Sequence, residues 1–149
     1  MSTLPSAPVP LDALLESFAA APAVWYGSVR RDGRVHLAPI WHVWDGRAAF
    51  VVTQQNAVRA RNLVFNSSVS LALPDAINPF ILEGTASEAP EALDAIQPLF
   101  QSKYDWNLRD DAEYGFIIRV IPGKAMAWGS HGEGRWRYNA DSGAWTAIT

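Results

Sequence analysis

Residues 24–53, with the sequence VWYGSVRRDGRVHLAPIWHVWDGRAAFVVT, decide the fold class of this 149-residue chain. Val24–Val29 is rich in aromatic and β-branched residues, and the Asp-Gly pair that follows it is typical of a tight hairpin. A long second strand is predicted over Val35–Trp44, with Pro39 interrupting its hydrogen-bonding pattern. A second Asp-Gly turn leads to a third strand over Arg47–Thr53. The segment therefore predicts a meander of three antiparallel strands joined by two-residue turns.

The pattern outside this segment predicts further short strands and three helices. The predicted helices are Leu11–Ala21, Ala57–Asn66 and Pro90–Tyr104, and the further strands are Val69–Leu73, Phe80–Ser87, Tyr114–Ile121, Lys124–Trp128, Arg135–Tyr138 and Ala144–Ile148. These elements indicate a mainly β, α+β domain built on an antiparallel barrel with helices at its ends and gaps. Residues 1–10 contain three prolines and are expected to form a flexible arm. Residues 11–149 are expected to form a single domain.

Composition excludes several classes of function. The chain is 49% apolar and 18% charged, which favours a folded domain, and its lack of cysteine excludes disulfides, thiolate metal sites and a cysteine nucleophile. Its net charge of −3 argues against nucleic-acid binding. No apolar run near membrane-spanning length and no leader pattern are visible, so a cytoplasmic protein with no membrane partner is expected. The three histidines lack the spacing of a metal site, and no metal is expected.

The distribution of charge points to an anion. No acidic residue occurs between Asp45 and Asp75, whereas Arg47, Arg59 and Arg61 all lie there. Two of these arginines fall in the first turns of a predicted helix, where the helix dipole disfavours cations unless an anion is bound. Thr53 could add a hydroxyl to such a phosphate site. A solvated basic helix face is the alternative.

Two further stretches could contact a flat ligand. Residues 36–42, HLAPIWH, could let such a ligand lie across a strand edge freed by Pro39, although strand tryptophans more often belong to a core. Residues 128–136, WGSHGEGRW, form a glycine-rich connection that lets backbone approach a ligand, with an aromatic residue at one end and an arginine at the other. An ordinary long hairpin loop explains that stretch equally well.

The order of these motifs resembles the pyridoxamine 5′-phosphate oxidase-like split-barrel flavoproteins over residues 20–148. The matching pieces are Pro39–His42, Asp45-Gly46, Phe50–Thr53 with Arg59–Leu63, Val69–Leu71, Glu83–Ala86, and the tail Ala127-Trp128 with Gly134–Tyr138. The resemblance implies an FMN-binding split barrel that works as a homodimer, with two flavin sites at the subunit interface.

The resemblance also implies a set of cofactor-binding residues. The phosphate-binding turn would contain Thr53, Ala57, Val58 and Arg59, with Val52 and Arg61 beside it. Pro39, Ile40 and Trp41 would contact the isoalloxazine ring. Trp128 and Arg135 would close over the ring from the partner subunit.

The implied function is that of an FMN-dependent oxidoreductase acting on a small molecule. The C-terminal loop of this chain is shorter than that of the true oxidases, and His42 replaces one of their strand lysines. Vitamin B6 oxidation is therefore not expected. The short loop, together with Lys103-Tyr104 after the helix, makes the chain resemble the small flavin or F420 reductases more than the true oxidases. F420 is therefore an alternative cofactor. A non-catalytic flavin- or haem-binding module, with His36, His42 or His131 as haem ligands, is a further alternative. In the enzymatic interpretation, Trp41, His42 and Trp128 would line the open face for substrate, and His42 or His131 could donate a proton.

Overall fold

Nine strands form one curled antiparallel sheet among residues 10–130 and 132–148, which are the residues that this computed structural model describes. The strands are β1 Val24–Val29, β2 Val35–Ile40, β3 Val43–Trp44, β4 Ala49–Thr53, β5 Ser68–Ala72, β6 Phe80–Glu88, β7 Phe116–Ala127, β8 Gly134–Asn139 and β9 Ala144–Ala147. Seven of the strands follow the order β2-β1-β5-β6-β7-β4-β3. Strand β8 pairs with another part of β7, and β9 pairs with β8. This curled sheet with its helices confirms the predicted mainly β split barrel.

Three α-helices pack on the sheet within the described residues. They are α1 Leu11–Ala20, α2 Val58–Asn62 and α3 Leu93–Tyr104. The first confirms the predicted N-terminal helix to within a residue. The second is shorter than predicted, because its last residues continue as hydrogen-bonded turns up to Asn66. The third is preceded by a separate 3-10 turn over Pro90–Ala92.

The predicted long second strand is wrong, and so is the simple meander that it implied. The chain leaves β2 after Ile40 and enters the two-residue β3 at Val43, so that β2 pairs only with β1 and β3 pairs only with β4. Trp41 and His42 therefore join the two outer strands of the seven-strand path. This crossover, residues 41–42, is what closes the curled sheet on itself.

The two strands predicted on either side of Pro122-Gly123 are one strand, β7. The register of the β6–β7 pair shifts between Glu83 and Gly84, which absorbs the irregularity. A Cβ atom on Gly84 would lie 2.4 Å from the carbonyl oxygen of Ile121, so only glycine lets the two backbones approach so closely. The long strand then reaches both β4 and β8.

The core has two parts that share β4. Its Ala49 and Val51 belong to the barrel interior, together with the barrel-facing residues of the other strands and Phe18 of α1. Its Phe50 and Val52 face outward and are buried under α3. Burial on both faces explains why the AFVV sequence of β4 shows no alternation of polar and apolar residues.

The predicted flexible arm, residues 1–10, lies outside the described residues except for Pro10. The single domain over residues 11–149 stays a prediction. No helix in the described part of the chain is long and apolar enough to cross a membrane.

Candidate functional site

Arg59 occupies an unusual position for an arginine in such a short helix. Its side chain is half-buried, and its Nε atom is shielded from water and has no hydrogen-bond partner among residues 10–130 and 132–148. Burial lowers the pKa of the guanidinium, because desolvation penalises its charged form. The ion pairs found among the described residues involve Arg34, Arg109 and Arg119, and none of them includes Arg59.

Two further buried polar atoms lie near this arginine. The Tyr26 hydroxyl and His36 Nδ1 are both shielded from water, and neither has a hydrogen-bond partner in the part of the chain that the structure describes. Burial raises the pKa of Tyr26, and the Arg59 charge partly offsets the rise. Burial lowers the pKa of His36, and the charges of Arg30 and Arg59 lower it further. Unpaired polar groups close to one guanidinium, among them the Tyr26 hydroxyl donor, are an arrangement that favours anion binding.

The helix α2 is tied to the barrel at this point. Asn62 Nδ2 donates a hydrogen bond of 2.9 Å to Ser28 Oγ, and both residues are buried. Ser28 lies opposite His36 in the β1–β2 register. The bond therefore holds α2 over the β1–β2 hairpin and directs Arg59 toward Tyr26 and His36.

The other residues predicted for the phosphate turn follow β4. Val52 and Thr53 are buried at the end of that strand, Ala57 and Val58 are half-buried at the start of α2, and Arg61 is exposed. On the outer side of the same turn, Glu113 and the polar residues 54–56 line a shallow depression of about 480 Å³. Arg59 therefore lies on the opposite side of the turn, which faces β1 and β2.

The residues predicted to contact a flat ring end β2 and begin the crossover. Pro39 is exposed on the outer face of the sheet, and Ile40 is buried. Trp41 is 52% exposed and stacks on Tyr104 of α3, with ring centroids 4.5 Å apart and planes within 4°. Trp106 meets its edge at a centroid distance of 5.8 Å. Trp41 therefore already packs against a flat aromatic ring of its own chain.

The prediction that His42 lines an open face is wrong. Its ring is completely buried, packs against Phe18 at 4.8 Å between centroids, and donates a 2.7 Å hydrogen bond from Nε2 to the Phe18 carbonyl oxygen. Burial and the Lys103 charge lower its pKa to about 4. The ring therefore packs against α1 and lines no exposed face.

The backbone of His42 is held by the end of α3. Lys103 Nζ donates to the His42 carbonyl oxygen at 2.8 Å, and His42 N–H donates to the Tyr104 hydroxyl at 3.0 Å. The Tyr104 hydroxyl in turn lies 2.8 Å from the Pro22 carbonyl oxygen, to which it donates. Burial lowers the pKa of Lys103 to about 8. These contacts fix the crossover that carries Trp41.

Trp128 and Arg135 share a groove at the far end of β7. The groove has a volume of about 810 Å³, and Met126 and Ile148 also line it. The loop after Trp128 is anchored, since Ser130 N–H and Oγ both donate to Asn78 Oδ1 at 2.9 and 2.8 Å. His131, a predicted proton donor and haem ligand, lies outside the described residues.

The two halves of the predicted ring site are far apart within one chain. Paired positions run across six strands in the order Pro39, Trp25, Ala72, Ile81, Met126 and Arg135. We call these six residues the outer row, because none of them is buried whereas their chain neighbours Tyr26, Leu71, Leu82, Ala125 and Trp136 belong to the core. Five strand spacings separate its ends, on the order of 24 Å along the convex face. One small ligand bound to a single chain does not reach both ends.

A family model described as pyridoxamine 5′-phosphate oxidase matches residues 11–127. The chain belongs to this family. The match covers the chain from α1 to the end of β7, including seven of the nine strands, and so confirms the resemblance seen in the sequence. No curated protein sequence matches the chain significantly.

Solved structures of the oxidase family's fold are similar to this chain at low sequence identity. An F420 reductase is 23% identical with a TM-score of 0.61, covering 74% of this chain and 94% of its own. A haem-binding protein of Mycobacterium smegmatis is 16% identical with a TM-score of 0.69, covering 97% and 60%. An FMN-binding, pyridoxamine 5′-phosphate oxidase-related protein of Nostoc punctiforme is 12% identical with a TM-score of 0.65, covering 95% and 97%. At these identities the likeness shows the fold alone.

Sequence reasoning missed the surroundings of Arg59. Tyr26 and His36 are separated from it in sequence by more than 20 residues, and nothing in their strands distinguishes them from ordinary inward-facing residues. The alternation of inward residues along β1 could have placed Tyr26 and Ser28 on one face. It could not have shown which helix covers that face.

Proposed function

We propose that this member of the oxidase family is an FMN-dependent oxidoreductase that binds its cofactor at a homodimer interface. The observation that carries the proposal is Arg59, a half-buried guanidinium with an unpartnered Nε and no acidic partner among the described residues. A buried cation without a counter-ion is costly, and a phosphate would supply both the charge and the acceptors.

The residues around Arg59 fit a phosphate. Arg59 would bind it, with the Thr53 hydroxyl and the turn at Ala57 and Val58 beside it, while Arg61 contributes a more exposed charge. Tyr26, His36 and Tyr114 lie close enough to Arg59 to interact with its charge, and each can donate a hydrogen bond. No carboxylate raises the pKa of Arg59, as a bonded Asp or Glu would.

A second copy of the chain would complete the ring site. Pro39, Ile40 and Trp41 lie at one end of the outer row, whereas Arg135 ends the other and Trp128 lies beside it. The four residues between the ends are apolar side chains that are incompletely buried: Trp25, Ala72, Ile81 and Met126. An exposed apolar stripe on a sheet is a typical contact between subunits. Antiparallel packing of two copies along this row would bring each Pro39 end to the partner's Arg135 end.

Bound FMN would supply the redox chemistry itself. The chain's part is to hold the phosphate, to fix the crossover at residues 41–42 through Lys103 and Tyr104, and to exclude water from the ring through Trp41 and the partner subunit's Trp128. His42 keeps a structural role, because its ring is buried and its Nε2 is already bonded.

The test is FMN titration followed by quenching of flavin or tryptophan fluorescence. We expect Arg59→Gln to weaken FMN binding about ten- to a hundredfold, the usual cost of losing a charged hydrogen bond, and Arg59→Lys to recover part of the loss. Arg109→Gln, which removes an exposed charge on α3's side of the molecule, is the matched control. FMN affinity that is unchanged in Arg59→Gln would overturn the proposal.

F420 is the second candidate cofactor, favoured by the arginine-rich surface around α2 and by the similarity to an F420 reductase structure. The same phosphate site would serve either cofactor. Parallel titrations with FMN and F420 distinguish the two, and saturable quenching by F420 alone would replace FMN in the proposal. The absorption spectrum of the purified protein separates both from a haem-binding module, which would show a Soret band.

A further inference from the structure

The first residues after β7 are held by a loop from elsewhere in the chain. Asn78 Oδ1 accepts two hydrogen bonds from Ser130, one from the backbone N–H at 2.9 Å and one from Oγ at 2.8 Å. Because a backbone N–H can only donate, the amide oxygen of Asn78 is the atom that must face Ser130. The contact joins the β5–β6 connection to the segment that follows Trp128, across 52 residues of sequence.

The backbones of the two segments are also in close contact. Gly129 has a φ of +130°, and a Cβ atom on it would lie 2.5 Å from Asn78 Oδ1 and 2.5 Å from the Ile77 carbonyl oxygen. Glycine is therefore required there for two reasons, the backbone conformation and the close approach. The contact between the segments thus depends on residues from both of them.

Asn78 belongs to a rigid connection between β5 and β6. The Asp75 carboxylate accepts hydrogen bonds of 2.9 Å from the backbone N–H groups of both Ile77 and Asn78. Pro79 follows Asn78 directly, and a residue before proline has a restricted backbone conformation. The turn therefore fixes the backbone that carries the Asn78 amide, independently of Ser130.

Trp128 lies between two fixed points of the backbone. On one side, Ala127 is paired with Phe80 of β6 and with Gly134 of β8. On the other side, the two residues that follow Trp128 are held by Asn78. The indole itself is 47% exposed and lines the groove at this end of β7. The backbone is thus fixed on both sides of an indole of which nearly half is in contact with solvent.

This arrangement favours a contact with a second molecule. Ordering a segment costs conformational entropy, and an exposed tryptophan offsets little of that cost by burial within its own chain. A tryptophan that is already fixed loses little further freedom when it binds, which is typical of the residues that contribute most to an interface.

We propose that Asn78 is a positioning residue of the ring site. By holding Gly129 and Ser130, it directs Trp128 toward the flavin bound to the partner subunit. The proposal rests on the proposed function and deepens it, since it names a residue outside the cofactor-binding set on which binding of the ring depends.

The experiment measures FMN affinity of the full chain, by quenching of flavin fluorescence, in variants that remove or keep the acceptor at position 78. Asn78→Val removes the acceptor, and we expect it to weaken FMN binding about tenfold, because Trp128 is no longer fixed before the ring binds. Asn78→Asp keeps an acceptor oxygen in the same place and should bind FMN within about twofold of the unmodified protein.

Asn139→Val is the matched control. Asn139 Oδ1 also accepts two backbone hydrogen bonds in a turn, from Asp141 at 2.9 Å and from Ser142 at 3.1 Å. Its turn follows the end of β8 that is remote from the groove, so FMN affinity should not change.

A double-mutant cycle separates the positioning of Trp128 from a general loss of stability. If Asn78 acts through Trp128, Asn78→Val should cost little FMN affinity in a Trp128→Ala background, although it costs about tenfold in the unmodified protein. Ser130→Ala removes only the Oγ hydrogen bond and serves if Asn78→Val does not fold. We expect it to weaken FMN binding about threefold, with the same dependence on Trp128.

The outcomes distinguish this inference from the proposed function. Unchanged FMN affinity in Asn78→Val, or an equal loss with and without Trp128→Ala, would refute the positioning role and leave the proposed function intact. FMN binding by Asn78→Asp that is as weak as that by Asn78→Val would refute the role of the acceptor in the same way. No binding of FMN by the unmodified protein would refute the proposed function, and the positioning role with it.

Discussion

Arg59 is half-buried and His42 is fully buried, and the surroundings of each side chain give it a different role. His42 has no exposed surface and donates from Nε2 to the Phe18 carbonyl oxygen, so it stabilises α1 against the barrel, although its Nδ1 has no partner among the described residues. Arg59 retains an unpartnered donor beside two other unpartnered groups. Unsatisfied polar groups are rare in folded proteins, and a cluster of them points to a ligand.

The buried state of His42 predicts how stability depends on pH. The pKa of the ring is about 4 in the folded protein, against an ordinary value of 6.5. Between these pH values the unfolded chain binds a proton at His42 and the folded chain does not. Stability should therefore be unaffected above pH 6.5 and fall as pH drops from 6.5 toward 4, by up to about 3 kcal/mol. Denaturant unfolding of the native protein and of His42→Gln at several pH values measures this.

The difference between the two proteins in the free energy of unfolding at each pH gives the contribution of His42, because the carboxylates titrate in both proteins. His36→Gln should change the pH profile in the same direction but less, since His36 is only partly buried and its pKa is also lowered. Parallel pH profiles for the native protein and His42→Gln would contradict the assignment.

Among the elements, β7 decides the architecture. It is long enough to pair with β6 along its whole length and with β4 and β8 at its two halves. The register shift beside Gly84 lets it bend, and so the sheet curls instead of staying flat. Both halves of the candidate ring site depend on that bend for their placement.

A side chain at Gly84 should disturb this bend. Gly84→Ala would place Cβ 2.4 Å from the Ile121 carbonyl oxygen, a contact that requires a backbone shift. We expect a loss of about 2 kcal/mol or more in the free energy of unfolding. Gly115→Ala is the control, because its Cβ would be 3.5 Å from the nearest atom, an ordinary contact. Equal unfolding midpoints for the two variants would show that β6 and β7 are not tightly apposed there.

At the scale of the whole molecule, the outer row connects oligomeric state with ligand binding. Its ends carry the two halves of the candidate ring site, and its middle is apolar and accessible. If two copies pack along this row, dimer formation and flavin binding are coupled, so a change that weakens one should weaken the other.

A charge in the middle of the row should therefore affect both properties. We expect Ile81→Glu to convert a dimer to a monomer in light scattering and to weaken FMN binding more than tenfold, because an unpaired carboxylate would be buried between apolar surfaces. Thr146→Glu adds the same charge on the exposed part of β9 and should change neither property. A native protein that is monomeric with FMN bound would contradict the proposed interface.

The sequence by itself determined the local structure and the sign of the charge at the site. Both Asp-Gly hairpins, the helices α1 and α3 and the apolar strands depend on neighbours a few residues away, and the acid-free stretch around Arg59 is visible without any fold. Tertiary structure alone decided that β2 and β3 are joined by Trp41 and His42, that His42 is buried, and that Tyr26 and His36 lie close to Arg59. The reason is physical: strand pairing and helix docking bring together residues far apart in sequence, and the free energy of those contacts depends on burial and register, which a local pattern does not contain.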